Sequence, residues 1–95
     1  MKELEDIFKG MASSRRIDII KLLFPDRRLS VGDIAGRIGL SLRSTSKHLI
    51  KLEKSGYLKS RQEGFYNIYR INPKPPRIIE KLVDLVHSCN RRFDD

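Results

Sequence analysis

The chain has 95 residues, with 20 Lys and Arg against 12 Asp and Glu, and its formal net charge is +8. This length has room for one small domain, residues 1–95, and for one modest core. We expect no membrane span and no signal peptide, because no apolar run approaches about 18 residues and the N-terminus lacks an apolar segment. The single cysteine, Cys89, cannot form an internal disulfide, so we expect a cytoplasmic location.

The positive charge is concentrated in the middle of the chain. Residues 41–70 hold seven Lys and Arg against two Glu, a net charge of +5, whereas both ends of the chain mix the two signs. A concentrated basic segment is typical of a nucleic-acid-binding surface.

Apolar spacing predicts two helices in the first 25 residues. Leu4, Ile7, Phe8 and Met11 indicate an amphipathic helix over 2–9 that ends at Gly10. Ser13 or Ser14 can cap the next helix, and Pro25 ends it. Its apolar residues nearly encircle it, which predicts the central helix of the core. They are Ile17, Ile19, Ile20, Leu22 and Leu23.

The next segment predicts a helix-turn-helix. Ser30 and Asp33 resemble a capping box before a short helix, which Gly39 ends in a left-handed conformation. Ser41 can cap a second helix that ends at Gly56. A turn of three residues containing glycine between two helices is the signature of this motif. The predicted inward residues are Val31, Ile34, Ala35 and Ile38 on the first helix and Leu42, Thr45, Leu49 and Leu52 on the second.

After Gly56 the pattern changes to that of a β-hairpin. Residues 57–61 and 65–71 are rich in aromatic and β-branched side chains, and Gln62-Glu63-Gly64 lies between them. A proline-rich linker, residues 72–76, precedes a last helix over 77–92. One face of that helix carries Ile78, Ile79, Leu82, Val83, Val86 and Cys89. The sequence therefore predicts a mainly α fold with a small β-hairpin, in the order α-α-α-α-β-β-α.

The second helix of the motif has a basic side opposite its apolar side. At 100° per residue, this outward side carries Arg43, Ser44, Lys47, Lys51 and Lys54. Short hydroxyls can approach base edges, longer basic groups reach the phosphates, and the helix N-terminus attracts phosphate. The hairpin adds Lys59, Arg61 and Arg70, while Leu58, Ile68 and Tyr69 suit packing on the core. The alternative interpretation is an ordinary solvated, lysine-rich helix face and a hairpin that only packs.

The chain resembles the ArsR-type winged-helix transcriptional regulators over most of its length. The matching stretches are residues 11–23, 40–49 and 52–58, Glu63-Gly64, and 68–71, of which Ser46-Lys47-His48-Leu49 with Leu52 and Gly56 is the most specific part. The resemblance implies a winged helix-turn-helix whose recognition helix, about 42–54, lies in the major groove. It also implies a wing, residues 57–71, on the backbone or in the minor groove.

The resemblance also assigns residues to the DNA contact. The recognition helix begins at Ser41, and Ser44, Ser46, Lys47 and His48 occupy its DNA-contacting block. Leu42 departs from the pattern, because relatives commonly carry a polar base-reading residue there. Leu42 therefore either meets a thymine methyl group or turns inward.

The first and last helices, 2–9 and 77–92, are the dimer interface that the resemblance implies. A homodimer would place two recognition helices in successive major grooves, roughly 34–36 Å apart. The alternative is that these apolar faces only pack within the chain.

A metal-sensing site is not predicted. The family's thiolate site would need cysteines within residues 29–34, and none is present. Asp84 and His87 could form half of the family's terminal-helix site, but a second pair is missing, so a solvated pair is the preferred interpretation. Cys89 is expected to be a small buried apolar residue rather than a redox switch. We expect no cofactor, and the sequence identifies no inducer.

The preferred function is a sequence-specific regulator of transcription, a dimeric repressor that binds double-stranded DNA. An enzyme is not expected, because there are two histidines and no phosphate-binding loop, nucleophile elbow or carboxylate cluster. Two alternatives remain. One is an architectural DNA- or RNA-binding winged helix without base readout, and the other is a protein-interaction winged-helix module.

Overall fold

The computed structural model describes residues 2–10 and 13–93, and it describes side chains within 4–9 and 13–88. The predictions for Met11 and for the side chain of Cys89 lie outside these residues. The helices are α1 (Lys2–Gly10), α2 (Ser14–Leu23), α3 (Val31–Ile38), α4 (Leu42–Ser55) and α5 (Arg77–Phe93). The strands are β1 (Leu29–Ser30), β2 (Leu58–Glu63) and β3 (Tyr66–Ile71). In the described part of the chain, none of the helices is long and apolar enough to cross a membrane.

The predicted order of helices and hairpin is confirmed, with one strand added. β1 pairs antiparallel with β3, Leu29 opposite Tyr69 and Ser30 opposite Ile68, so the sheet order is β1-β3-β2. A strand of two residues cannot display an alternating pattern, which is why the sequence did not predict it. Ser30 also caps α3, since its Oγ accepts a hydrogen bond from the Asp33 N–H at 3.1 Å.

The predicted helix ends of the helix-turn-helix are confirmed. Gly39 ends α3 with φ 72° and Gly56 ends α4 with φ 98°, both left-handed conformations that favour glycine. Ser41 caps α4, because its Oγ accepts from the Ser44 N–H at 3.1 Å. These caps hold α3 and α4 in contact at a tight turn.

The core is built around α2, as the sequence predicts. Ile19, Ile20 and Leu23 are fully buried and meet apolar residues from α3, α4, the hairpin and α5. The remaining members of this cluster are Ile34, Leu49, Leu52, Tyr57, Leu58, Tyr69, Ile79 and Val83. The Tyr57 hydroxyl donates to the Ile7 carbonyl oxygen at 2.8 Å, and burial raises the pKa of Tyr57 to about 12. Tyr57 therefore stays a neutral donor that joins α1 to the core.

Three sequence predictions need correction. Leu42 was expected to face the core, but its side chain is 61% exposed, because this first residue of α4 lies in an open cleft between the helix and the hairpin. On α5, Ile79 and Val83 are buried, whereas Ile78 is 40% exposed, so the apolar residues cover two adjoining faces. The hairpin turn is Gly64-Phe65, and Gln62 and Glu63 belong to β2 because they pair with Asn67 and Tyr66.

Candidate nucleic-acid interface

The outward face of α4 is basic. Thr45, Leu49 and Leu52 are fully buried and fix the orientation of the helix about its axis. The predicted outward residues Arg43, Ser44, Lys47, Lys51 and Lys54 are all exposed. Ile50 shares this face and is 45% exposed, although it was not among the predicted outward residues. Its position three residues after Lys47 was the signal that could have identified it.

His48 is half-buried on α4 and contacts Arg16 of α2. Arg16 donates from Nε to His48 Nδ1 at 3.1 Å and from Nη1 to the Lys9 carbonyl oxygen at 2.7 Å. Burial lowers the pKa of His48, and the positive charges of Arg16, Lys51 and Arg15 lower it further. At neutral pH the ring is therefore uncharged and carries its proton on Nε2. Arg16 thus links the last turn of α1 to the middle of α4.

The basic surface continues from α4 toward α1. Lys9, Arg16, Lys51 and Lys54 line a cleft of about 500 Å³ together with Asp6. Positive side chains that share a concave surface reinforce one another's attraction for a polyanion. The cleft extends the basic face of α4 along its C-terminal half.

The basic residues of the hairpin lie on its outer face. In the register of β2 and β3, Lys59 is opposite Arg70 and Arg61 is opposite Ile68, so these four side chains share one face. Leu58 and Tyr69 pack in the core as the sequence predicts, whereas Ile68 lies on the outer face, because neighbouring residues of a strand point to opposite sides. Lys59 and Arg61 are exposed. Arg70 is 32% exposed, and its Nη2 lies 3.3 Å from Oδ1 of Asp26, so an ion pair partly compensates its charge.

A hydrogen-bonded carboxylate fixes the hairpin against α4. Glu53 Oε2 accepts from the Ser60 N–H at 3.1 Å and from the Ser60 hydroxyl at 2.7 Å. Glu53 lies in the last turn of α4, and Ser60 is the third residue of β2. The orientation of the wing is therefore coupled to that of the helix.

The tip of the hairpin lies beside the first turns of α4. Phe65 and Tyr66 line a cleft of about 430 Å³ together with Leu42, Arg43 and Ser46. The Phe65 side chain is 101% exposed and that of Tyr66 is 64% exposed. The sequence pattern predicts a strand that includes Phe65, so it did not indicate a tip residue at this position.

The side chains considered for a metal site, Asp84 and His87, belong to α5 in the described part of the chain. No group of three or more His, Cys, Asp or Glu side chains comes together there. Asp84 and His87 are both exposed, and the His87 ring stacks on Phe24 with ring centroids 4.4 Å apart. The side chain of Cys89 lies outside the described residues.

Comparison with known proteins identifies the family of this chain. A family model described as winged helix-turn-helix DNA-binding matches residues 13–59. The arsenical resistance operon repressor of Escherichia coli is 32% identical over 85 residues, which cover 90% of this chain and 73% of that protein. The transcriptional activator HlyU of Vibrio cholerae is 31% identical over 81 residues, which cover 85% of this chain and 71% of that protein.

A solved structure agrees with these relatives. It is the homodimeric winged helix-turn-helix DNA-binding domain of a possible ArsR-family transcriptional regulator from Mycobacterium bovis. Its TM-score is 0.78 at 28% sequence identity, and the match covers 95% of this chain and 80% of that chain. The chain belongs to the ArsR family of winged helix-turn-helix DNA-binding transcriptional regulators.

Proposed function

We propose that α4 enters the major groove of a specific DNA site and that the chain controls transcription by occupying this site. The observation that carries the proposal is the division of α4 into a fully buried side and an exposed basic side. A helix held in this way presents Arg43, Ser44 and Lys47 together without any rearrangement. Its N-terminus also attracts phosphate.

The contacts of α4 divide by side-chain length. Ser44 and Ser46 are short enough to lie close to base edges, and Ser41 lies at the helix start beside the backbone. Lys47, Lys51 and Lys54 reach phosphates. The apolar side chains of Leu42 and Ile50 suit the methyl group of thymine. The neutral His48 offers its Nε2–H as a donor.

The wing follows the adjacent backbone. Lys59 and Arg61 are exposed on the outer face of the hairpin and contribute most of its attraction for phosphate. Arg70 contributes less, because Asp26 already pairs with it. The Glu53–Ser60 hydrogen bonds support this role, since they hold the wing at a fixed distance from α4.

The acting species in this proposal is a cytoplasmic homodimer that represses transcription. Exposed apolar side chains on the terminal helices support self-association, namely Leu4, Phe8, Ile78 and Leu85. The M. bovis domain is described as homodimeric, which supports the same assembly here. The E. coli relative, a repressor, supports repression, and the activator HlyU makes activation the alternative outcome.

Selection of bound sequences from a random DNA library tests the proposal. A specific reader prefers its site over random duplex by about 10³-fold or more. We expect two related half-sites about one helical turn apart. An architectural binder would enrich no sequence and would show a steep salt dependence, and that result would contradict the proposal.

Lys47→Ala tests the assignment of α4. We expect weaker binding to the selected duplex and a salt slope that is smaller by about 1, because one phosphate contact is lost. The fold should not change, since Lys47 is exposed. Lys74→Ala, an exposed lysine in the linker before α5, is the matched control and should bind as the wild type does. Unchanged binding by Lys47→Ala would mean that another surface contacts DNA.

A further inference from the structure

We propose that the wing tip is an apolar wedge, in which Phe65 enters the minor groove beside the α4 site and opens a base step there. The inference rests on the proposed DNA-binding function and adds a specificity-determining residue to it. The occupant is a DNA base step, because the surface that surrounds Phe65 is continuous with the basic face of α4.

The turn places Phe65 at the far end of the hairpin. Glu63 and Tyr66 form the last pair of the β2–β3 ladder, so only Gly64 and Phe65 connect the strands. Gly64 has φ 62°, and no residue other than glycine has a positive φ among the described residues. This combination matches a type II′ turn, whose first central position requires glycine. The ring therefore projects beyond the end of the ladder.

The Phe65 side chain is not covered by its own chain. It is 101% exposed, and Tyr66 beside it is 64% exposed. Phe65 is the most exposed large apolar side chain among the described residues, well above Leu42 at 61% and Phe8 at 53%. Its whole apolar surface is in contact with water, which is unfavourable. Covering this ring in a complex would be favourable, whereas the fold gains nothing from it.

The charges around the tip favour DNA as the covering surface. Arg43 and Phe65 line the same cleft between α4 and the wing, and Arg61 lies on the outer face of β2. Basic side chains at the phosphates and an apolar side chain between base pairs are the combination that minor-groove wedges use. Glu63 ends β2 and is repelled by phosphate, which limits insertion to the two-residue tip.

A wedge of this kind reads sequence through deformability. Pyrimidine–purine steps such as TA and CA unstack more easily than others, so they are favoured where Phe65 enters. The selected sites should therefore carry a preferred flexible step outside the bases that α4 reads. No hydrogen bond from the wing to a base is needed for this preference.

The test uses the duplex recovered by selection, with 2-aminopurine at each flanking step in turn. Unstacking increases the fluorescence of this base, so the wild-type protein should produce a rise at one step. Phe65→Ala should abolish the rise and weaken binding about tenfold or more, as expected for loss of a buried phenyl ring. Its salt slope should equal that of the wild type, because no phosphate contact is lost.

Two further variants separate the wedge from general effects. Phe65→Leu keeps an apolar side chain and should retain most of the affinity and of the fluorescence rise. Arg61→Ala should keep the rise but reduce the salt slope by about 1. Circular dichroism should be unchanged in all three variants, since the Phe65 and Arg61 side chains are both exposed.

Three results would overturn the inference. The first is that Phe65→Ala binds as tightly as the wild type and that the wild-type protein produces no fluorescence rise at any step. The second is that Phe65→Ala binds DNA as the wild type does but no longer controls transcription in vitro. This result would assign the tip to a protein partner. The third is a wild-type protein without preference for any duplex, which would remove the proposed function and the wedge together.

Discussion

His48 belongs to the proposed DNA contact, and its ionisation also affects the stability of the domain. Its ring is half-buried, and Arg16 donates to Nδ1, so protonation would remove this hydrogen bond and place a cation among cations. Burial and these charges lower its pKa in the folded state below the ordinary value of 6.5. In the unfolded chain the pKa returns to that ordinary value.

Linkage then sets the direction of the pH dependence. The unfolded chain binds a proton at His48 before the folded chain does, so the contribution of His48 to stability is complete above pH 6.5 and decreases as the pH falls through its folded-state pKa. Urea unfolding at a series of pH values between 7.5 and 5 measures this. In His48→Gln the decrease over this interval should be smaller, and equal curves for the two proteins would contradict the assignment.

Thr45 carries a buried hydroxyl that lowers the free energy of unfolding. Its side chain is fully buried on α4, and Oγ1 has no hydrogen-bond partner within the described structure. An unpaired buried hydroxyl costs about 1–3 kcal/mol. Thr45→Val replaces the hydroxyl with a methyl group of similar size, so we expect a gain in the free energy of unfolding of about 1 kcal/mol.

Thr45→Ser is the matched control for this substitution. Serine keeps the hydroxyl and removes the buried methyl group, so it should destabilise the fold by about 1 kcal/mol. Urea unfolding of both variants provides the comparison. A less stable Thr45→Val protein would show that the hydroxyl has a partner, such as an ordered water.

At the scale of elements, Gly56 determines how α4 joins the wing. Its φ is 98°, and a Cβ atom there would lie 2.9 Å from Cδ1 of the fully buried Ile79. Gly56→Ala therefore combines backbone strain of about 1–3 kcal/mol with a steric conflict against α5. We expect a loss of stability of at least this size in urea unfolding.

Gly36 offers the opposite case within the same fold. It lies inside α3, and a Cβ atom there would have no neighbour within 4 Å. Gly36→Ala should therefore stabilise the protein by about 0.5–1 kcal/mol, because alanine loses less backbone entropy on forming a helix. Equal effects of the two substitutions would mean that the left-handed C-cap of α4 is not needed.

The elements that the sequence predicted correctly are those with a local physical signal. Gly39 and Gly56 mark helix ends because only glycine adopts their φ values without strain, and Ser41 caps α4 through a contact three residues away. β1 depends on pairing with β3, which lies about 40 residues later, so no local pattern indicates it. The exposure of Leu42 likewise depends on the open cleft between α4 and the hairpin, which helical periodicity alone does not specify.

The sequence predicted those positions of the candidate site that depend on the periodicity of a single helix. It did not predict the positions that depend on contacts between two elements. The outward position of Lys47 follows from the buried Leu49 and Leu52 on the same helix. The pairing of Arg70 with Asp26 and the position of the Phe65 tip depend on the register of the sheet, which the sequence left open. Arg16 reaches His48 from another helix, so its role was also not foreseen.

At the scale of the whole molecule, α5 has two apolar faces. Ile79 and Val83 are buried against the core, while Leu85 is 59% exposed and Ile78 is 40% exposed on the adjoining face. A monomer gains nothing from this second face. In the proposed dimer, a partner subunit would cover it and fix the distance between the two copies of α4.

Leu85→Lys tests this assembly without weakening the attraction for DNA. The new charge would be buried without a partner in the dimer, so we expect a monomer in sedimentation at micromolar concentration. The added lysine favours DNA binding, so a fall in affinity for the two-half-site duplex would come from the loss of the partner's half-site contact. Affinity for a single half-site should not decrease.

Glu80→Lys supplies the matched control, because it introduces the same residue at an exposed position on another side of α5. It should remain a dimer and bind the two-half-site duplex at least as tightly as the wild type. If Leu85→Lys also stays dimeric, the interface lies elsewhere on the molecule. If Leu85→Lys and Glu80→Lys are both monomers and still bind the two-half-site duplex as the wild type does, recognition of two half-sites does not depend on a dimer formed in advance.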